Sequence, residues 1–313
     1  MRRSIPKILE FPERVTLELT NHCNLSCGIC PRQYTNYNRG FMDSSLFMDI
    51  VDEMNEHGSN TLVPFFRGES LLHQNFIKLI SYAEDKGMTI QLATNGILLT
   101  KEVAKALVEI NLDFISFSVD TINPEDYKRM RRGSDFTKLM EGIENLLEEK
   151  LKQRSKKPEV QISAVDTGMN DNVKQEFVSF WIDRVQRVRI YPLHTSDGKF
   201  GSLQREQKNS WLRLPCHKPF TEMVIYWDGR AVVCNHDWDR NEGLGDVSSD
   251  GLLKVWNSEA YQELRENHMR GNYCKSDVCS NCDHWFQAYN EKELIGEEFM
   301  GIVNQKRMEV SNV

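Results

Sequence analysis

The chain has 313 residues, 40% of them hydrophobic and 27% charged, an ordinary globular composition that excludes a disordered polymer. Its 39 basic and 46 acidic residues leave a net charge of −7 with no basic block, which excludes a nucleic-acid footprint. No apolar run approaches the roughly 18 residues of a membrane span, and Met1–Pro6 lacks a signal-peptide core, so a cytoplasmic chain with no membrane partner is expected.

Val15–Leu19 alternates as a strand, and the cysteine-rich stretch Cys23–Cys30 follows it. Phe47, Ile50, Val51 and Met54 then share a helical face, with Asp43 or Ser44 as cap and Gly58 as stop. Thr61–Phe66 reads as a second strand despite Pro64, and Phe76–Ala83 as a helix ending at Gly87. Thr89–Thr94 is a third strand, and Val103–Ile110 a helix. Phe114–Val119 is a fourth strand, followed by helix through Tyr127 and again over Leu139–Leu151. Val160–Val165, helical Val173–Val185 and Arg187–Pro192 complete the alternation. Such a β–α rhythm predicts a parallel sheet with helical crossovers, an α/β fold curled into a partial (β/α)6 TIM-like barrel. Sites in such folds gather at the C-terminal strand ends, where the first cysteines lie.

After Pro192 the rhythm changes. Thr195–Ser210 is a polar connection, Met223–Trp227 and Ala231–Cys234 make a hairpin about Asp228-Gly229, a helix spans Leu253–Glu266, and a last helix lies near Glu291–Asn304. The expected division is a barrel over 1–195 and a small α+β domain over 196–313.

The eight cysteines fall at 23, 27, 30, 216, 234, 274, 279 and 282, leaving the middle of the chain empty. In a reducing compartment they read as metal ligands or redox groups rather than disulfides. Cys23-x3-Cys27-x2-Cys30 gives three thiolates in eight residues, one short of a closed tetrahedral site. Held so, a [4Fe–4S] cluster keeps one iron free for a non-protein ligand. A zinc loop borrowing a ligand such as His22 is the alternative that spacing leaves open.

These residues resemble the radical S-adenosylmethionine (radical SAM) superfamily. The cysteine run carries an apolar Ile29 before its last cysteine, and Phe66-Arg67-Gly68-Glu69 resembles the family's Gly-Gly-Glu segment, with Arg67 in place of the first glycine. Thr94-Asn95-Gly96 and Ser116-Phe-Ser118-Val-Asp120 follow at successive strand ends, and Arg131 or Arg132 lies where a carboxylate-binding arginine is common. The resemblance implies that Cys23, Cys27 and Cys30 hold a [4Fe–4S] cluster. It implies that Glu69, Gly68, Ile29, Thr94, Asn95, Ser118, Asp120 and Arg131 surround S-adenosylmethionine. It further implies reductive cleavage to a 5′-deoxyadenosyl radical that takes a hydrogen atom from substrate, with a flavodoxin- or ferredoxin-type reductant.

The later cysteines, with Trp227-Asp-Gly-Arg before Cys234 and Gly245-Asp-Val after it, resemble the half-sized SPASM module called twitch. That implies one auxiliary [4Fe–4S] cluster on Cys216, Cys234, Cys279 and Cys282. Read from spacing alone, a hairpin and a C-x2-C knuckle equally describe a zinc ribbon. Cys274 is surplus: a replacement ligand, a thiol hydrogen donor or a structural residue. His22 is a candidate donor to a cluster sulfur; His73, His217, His236 and His284 read as ordinary polar contacts. His194, Tyr191 and Arg189, around the sixth strand, are candidates to line the substrate cavity.

An auxiliary cluster can accept a second electron, so the resemblance implies a radical SAM oxidoreductase. The expected substrate is a small polar sugar or aminocyclitol, as for 2-deoxy-scyllo-inosamine dehydrogenase-like enzymes. The first strand begins near Val15, so no preceding peptide-recognition domain is expected. The alternatives are a maturase acting on a peptide or protein, and a non-catalytic iron–sulfur or zinc scaffold.

Overall fold

The computed structural model describes residues 7–192, 213–240, 242–280, 282 and 284–285. His194, the connection at Thr195–Ser210 and the helix expected near Glu291–Asn304 lie outside the described residues.

Six strands, β1 (Arg14–Leu17), β2 (Thr61–Val63), β3 (Thr89–Thr94), β4 (Phe114–Ser118), β5 (Glu159–Asp166) and β6 (Arg187–Pro192), run parallel in sequence order. They alternate with α1 (Ser44–Glu56), α2 (Phe76–Asp85), α3 (Lys101–Glu109), the pair α4 (Pro124–Met130) and α5 (Phe136–Lys152), and α6 (Asp171–Trp181). The expected partial barrel is therefore present. Alternation within each strand sorts its side chains. Val15 and Leu17 of β1, Ile115 and Phe117 of β4, and Val160 and Ile162 of β5 join the helices in one buried core. The opposite, inner face carries Thr16, Glu18, Ser116, Gln161 and Ser163, all buried and all polar.

Local chemistry sets the boundaries. Asp43, not Ser44, caps α1 by accepting from the Ser45 N–H at 2.7 Å. β2 stops at Val63, shorter than the expected Thr61–Phe66, because Pro64 has no N–H for the ladder; its carbonyl instead accepts from the Ser70 hydroxyl at 2.7 Å.

The C-terminal region holds α7 (Lys218–Thr221), β7 (Glu222–Ile225), β8 (Arg230–Val232), β9 (Gly243–Asp246), α8 (Val247–Asp250), α9 (Leu252–Trp256), α10 (Glu259–Arg270) and α11 (Asp277–Ser280). β7 and β8 form the expected antiparallel hairpin, joined by an unforeseen third strand, β9. β7 also pairs in parallel with β1, so one nine-stranded sheet runs β6-β5-β4-β3-β2-β1-β7-β8-β9. The single helix expected over Leu253–Glu266 is two: Ser258 breaks it by capping α10 through the Tyr261 N–H. Glu53 of α1 accepts from the Leu252 and Leu253 N–H groups at 2.7 and 2.8 Å, capping α9 across 199 positions of sequence. No helix among the described residues is long and apolar enough to cross a membrane.

Candidate active site

The loop after β1 is pinned on both sides. Ser26 and Gly28 donate their N–H groups to the carbonyls of Arg132 and Met130, and the buried Arg32 guanidinium donates to the Leu25 carbonyl at 2.6 Å. Cys23, Cys27 and Cys30 are half-buried on this loop. Burial pushes all three thiols above their ordinary range, and each is raised further by the charge of another. Three thiols within electrostatic reach of one another, none settled as a thiolate, suit a metal centre that displaces their protons on binding.

Glu69 faces this loop. Its carboxylate accepts from the Thr94 hydroxyl and the Asn95 N–H, each at 2.8 Å, which ties the end of β2 to the end of β3. Burial raises its pKa despite those bonds, so an incoming ammonium group would relieve a charge that the protein only partly compensates. Asn95 continues the link by donating to the Asn24 side chain at 2.8 Å, beside Cys23. Gly68, at φ +75°, passes so close that a Cβ would lie 2.4 Å from the carbonyl oxygens of Thr20 and His22. Arg67 turns its side chain away from the loop, towards the hairpin. It stacks against Tyr37, Phe66, Tyr226 and Trp238, with its guanidinium carbon 4.6 to 5.1 Å from the ring centres, and donates to the Asp237 carbonyl.

Arg131, rather than the exposed Arg132, is the arginine turned inward, paired with Asp120 at 2.7 Å; its Nε is buried without a hydrogen-bond partner. Asp120 sits at φ +68° and accepts from the Val165 N–H. Ser118 ends β4, and Ile29 is half-buried in the cysteine loop. Of the proposed cavity group, Tyr191 accepts from Gln161 at 3.3 Å and lies under the Arg189 guanidinium. Gln161 also donates to the Ser116 hydroxyl at 3.0 Å, and its own Oε1 is buried without a partner.

A second cavity is lined by Cys216, Cys234, Cys279 and Cys282. Burial pushes Cys279 up to about 12 and Cys282 up to about 11, with neighbouring thiolate charge adding to both. The sulfurs of Cys234 and Cys282 accept from the N–H groups of His236 and His284, two residues on, each at 3.3 Å. Among the described residues no three His, Cys, Asp or Glu side chains are placed to hold a single metal ion; the four thiols surround a space instead, which fits a polynuclear group. Cys274 lies exposed on the turn Tyr273–Lys275 and does not line this cavity. His22 stacks on Phe41 at 4.8 Å, and His73 bridges the Met42 carbonyl and the Asn75 N–H.

Two buried residues escape a reading of motifs. Glu18 is fully buried on the inner face, 4.0 Å from Arg67, and burial raises its pKa to about 7. His268 is buried beside Cys216 and Cys279, and burial lowers its pKa to about 4. Periodicity held a signal for both: Glu18 follows the polar positions of an alternating strand, and His268 continues the buried 261-264-265 face of α10.

The comparisons with known proteins agree with this geometry. Residues 17–172 match the radical SAM superfamily, and residues 216–283 match the SPASM iron–sulfur cluster-binding domain. The tungsten-containing aldehyde ferredoxin oxidoreductase cofactor-modifying protein of Pyrococcus furiosus is 26% identical over 294 residues, covering 80% of this chain and 82% of that protein. BtrN in complex with AdoMet and 2-DOIA shares the fold at 15% identity, with TM-score 0.58 over 87% of this chain and 92% of that one. Streptococcus suis SuiB bound to precursor peptide SuiA shares it at 16% identity, with TM-score 0.69 over 92% of this chain and 75% of that one. The two domains imply S-adenosylmethionine, a [4Fe–4S] cluster and auxiliary iron–sulfur as cofactors. A three-thiol loop at the first strand end and four thiols around a later cavity thus have one explanation: the chain belongs to the radical SAM superfamily and carries a SPASM iron–sulfur domain.

Proposed function

We propose that this radical SAM enzyme oxidises a small polar substrate, of the carbohydrate or aminocyclitol class, held against the inner face of the barrel. The observation that carries the reading is Gln161 Oε1: a buried acceptor with no partner, on a wall otherwise lined by Ser116, Ser163 and Tyr191. A buried unpaired acceptor costs about 1–3 kcal/mol, which a substrate hydroxyl or amine would recover.

In this reading Cys23, Cys27 and Cys30 hold the first cluster. Glu69, oriented by Thr94 and Asn95, accepts the methionyl ammonium of S-adenosylmethionine. The unpaired Nε of Arg131 is free to donate to its carboxylate, with Asp120 fixing the guanidinium plane. Gly68 lets the loop approach, and Ile29 and Ser118 complete the surround. Cys216, Cys234, Cys279 and Cys282 hold one auxiliary cluster. When bound, these cofactors supply hydrogen-atom abstraction from an unactivated C–H bond and a nearby acceptor for the electron that leaves next. Arg189 and Tyr191 orient the substrate, and the polar wall binds its hydroxyl groups. The division at residue 195 and a flavodoxin-type electron donor belong to the same proposal.

The test is a panel of sugars, aminocyclitols and short peptides offered to reduced holoenzyme under anaerobic conditions. The reading expects 5′-deoxyadenosine formation stimulated by a polyol or amino sugar, with a product two hydrogens lighter. Stimulation by peptides alone would replace it with a maturase.

A further inference from the structure

His268 has no place among the motifs, yet it joins the two ends of the auxiliary site. It stands in the last turn of α10, 1% exposed, with the edge of Tyr273 packed against its ring at 5.3 Å. Its Nδ1 accepts the backbone N–H of Cys216 at 3.2 Å. That bond fixes the tautomer: Nδ1 carries a lone pair, so the proton is on Nε2. Nε2 lies 3.3 Å from the sulfur of Cys279, within reach as a donor to it.

We propose that His268 is a positioning residue that donates a hydrogen bond to the Cys279 sulfur and thereby raises the reduction potential of the auxiliary cluster. The proposal rests on the assignment of Cys216 and Cys279 as ligands of that cluster. A donor aimed at a thiolate ligand draws electron density from the sulfur and stabilises the reduced, more negative cluster. The donors to Cys234 and Cys282 are backbone N–H groups, which no side-chain substitution removes. His268 is a side chain, and its ring reaches Cys216 and Cys279, which lie 63 positions apart in sequence. Arg213 holds the same turn by donating to the Cys279 carbonyl at 2.7 Å. A higher potential is what an electron acceptor beside the substrate needs.

The experiment is EPR-monitored potentiometry of the anaerobically reconstituted full chain, comparing wild type with His268→Leu and His268→Gln. The expected result is an auxiliary midpoint shifted to more negative potential in His268→Leu. His268→Gln, whose amide restores a donor, should return most of the shift. The midpoint of the other cluster and the rate of 5′-deoxyadenosine formation without substrate should not move. His268→Leu with full iron and sulfide and an unmoved auxiliary midpoint would overturn the proposal. Should His268→Leu fail to load, pulsed EPR of reduced protein labelled with imidazole-15N histidine decides, wild type beside His268→Gln: a ring-nitrogen coupling to the auxiliary cluster that His268→Gln loses supports the hydrogen bond, and a wild-type spectrum identical to that of His268→Gln rejects it. Zinc without sulfide in the wild type would instead remove the cluster assignment beneath the proposal.

Discussion

The two cysteine sites are built in opposite ways. The first draws three thiols from eight consecutive residues of one loop, shaped by backbone bonds to 130–132 and left half-buried. The second draws four thiols from segments up to 66 positions apart, with Cys234 and Cys279 buried and a histidine bridging two of the segments. A half-buried, locally encoded loop leaves an approach for a further ligand, as the proposed open iron requires. Enclosure, which the tertiary structure must assemble, suits the electron-accepting role proposed for the second site. The first site therefore belongs to the barrel, and the second to the C-terminal region that β7 joins to β1.

The largest expected effect separates the sites outright. Cys27→Ala should abolish 5′-deoxyadenosine formation while the auxiliary iron and sulfide remain, read by anaerobic metal analysis and chromatography. Retained cleavage would mean that the loop does not hold the reactive cluster.

Gly68→Ala comes next, because its Cβ would meet two backbone carbonyls at a φ that L-residues avoid. A cost of about 1–3 kcal/mol is expected from the backbone conformation, with the overlap adding to it. Binding of S-adenosylmethionine, measured by calorimetry, should weaken, and the auxiliary EPR signal should be unchanged.

Glu18 tests the joint. With its pKa raised from 4.5 to about 7, the folded chain keeps a proton that the unfolded chain has released. Stability therefore falls as pH rises between about 4.5 and about 7. Glu18→Gln should remove that one-proton slope from the dependence of thermal unfolding on pH, and an unchanged slope would contradict the burial argument.

The smallest effect is at the α9 cap: Glu53→Ala should cost about 1 kcal/mol in denaturant unfolding and leave both clusters loaded.

The contrast between the sites also explains what could be read from the sequence. The cysteine loop and the strand-end residues Glu69, Thr94 and Asn95 were readable because spacing and β–α periodicity are local properties. Arg131 could be told from Arg132 only by which side chain turns towards Asp120. The apolar run of β2 continues past Pro64, although the ladder cannot, so the strand is shorter than its pattern. The pairing of β7 with β1 joins residues about two hundred positions apart, and no local pattern announces such a contact. Arg67 is unusual as a replacement in a glycine motif, and its reason lies in four aromatic rings, two of them on the hairpin side of that joint. His268 belongs to no motif, because the two cysteines it touches are brought to it only by the fold.

The most direct test of the account is one anaerobic preparation of the full chain, assayed for iron, sulfide, zinc and 5′-deoxyadenosine, beside Cys234→Ala. Iron and sulfide sufficient for two [4Fe–4S] clusters are expected, with cleavage of S-adenosylmethionine. Cys234→Ala should lose one cluster and the oxidised product while still forming 5′-deoxyadenosine. Zinc in place of sulfide, or no cleavage by a fully loaded and reduced protein, would contradict it.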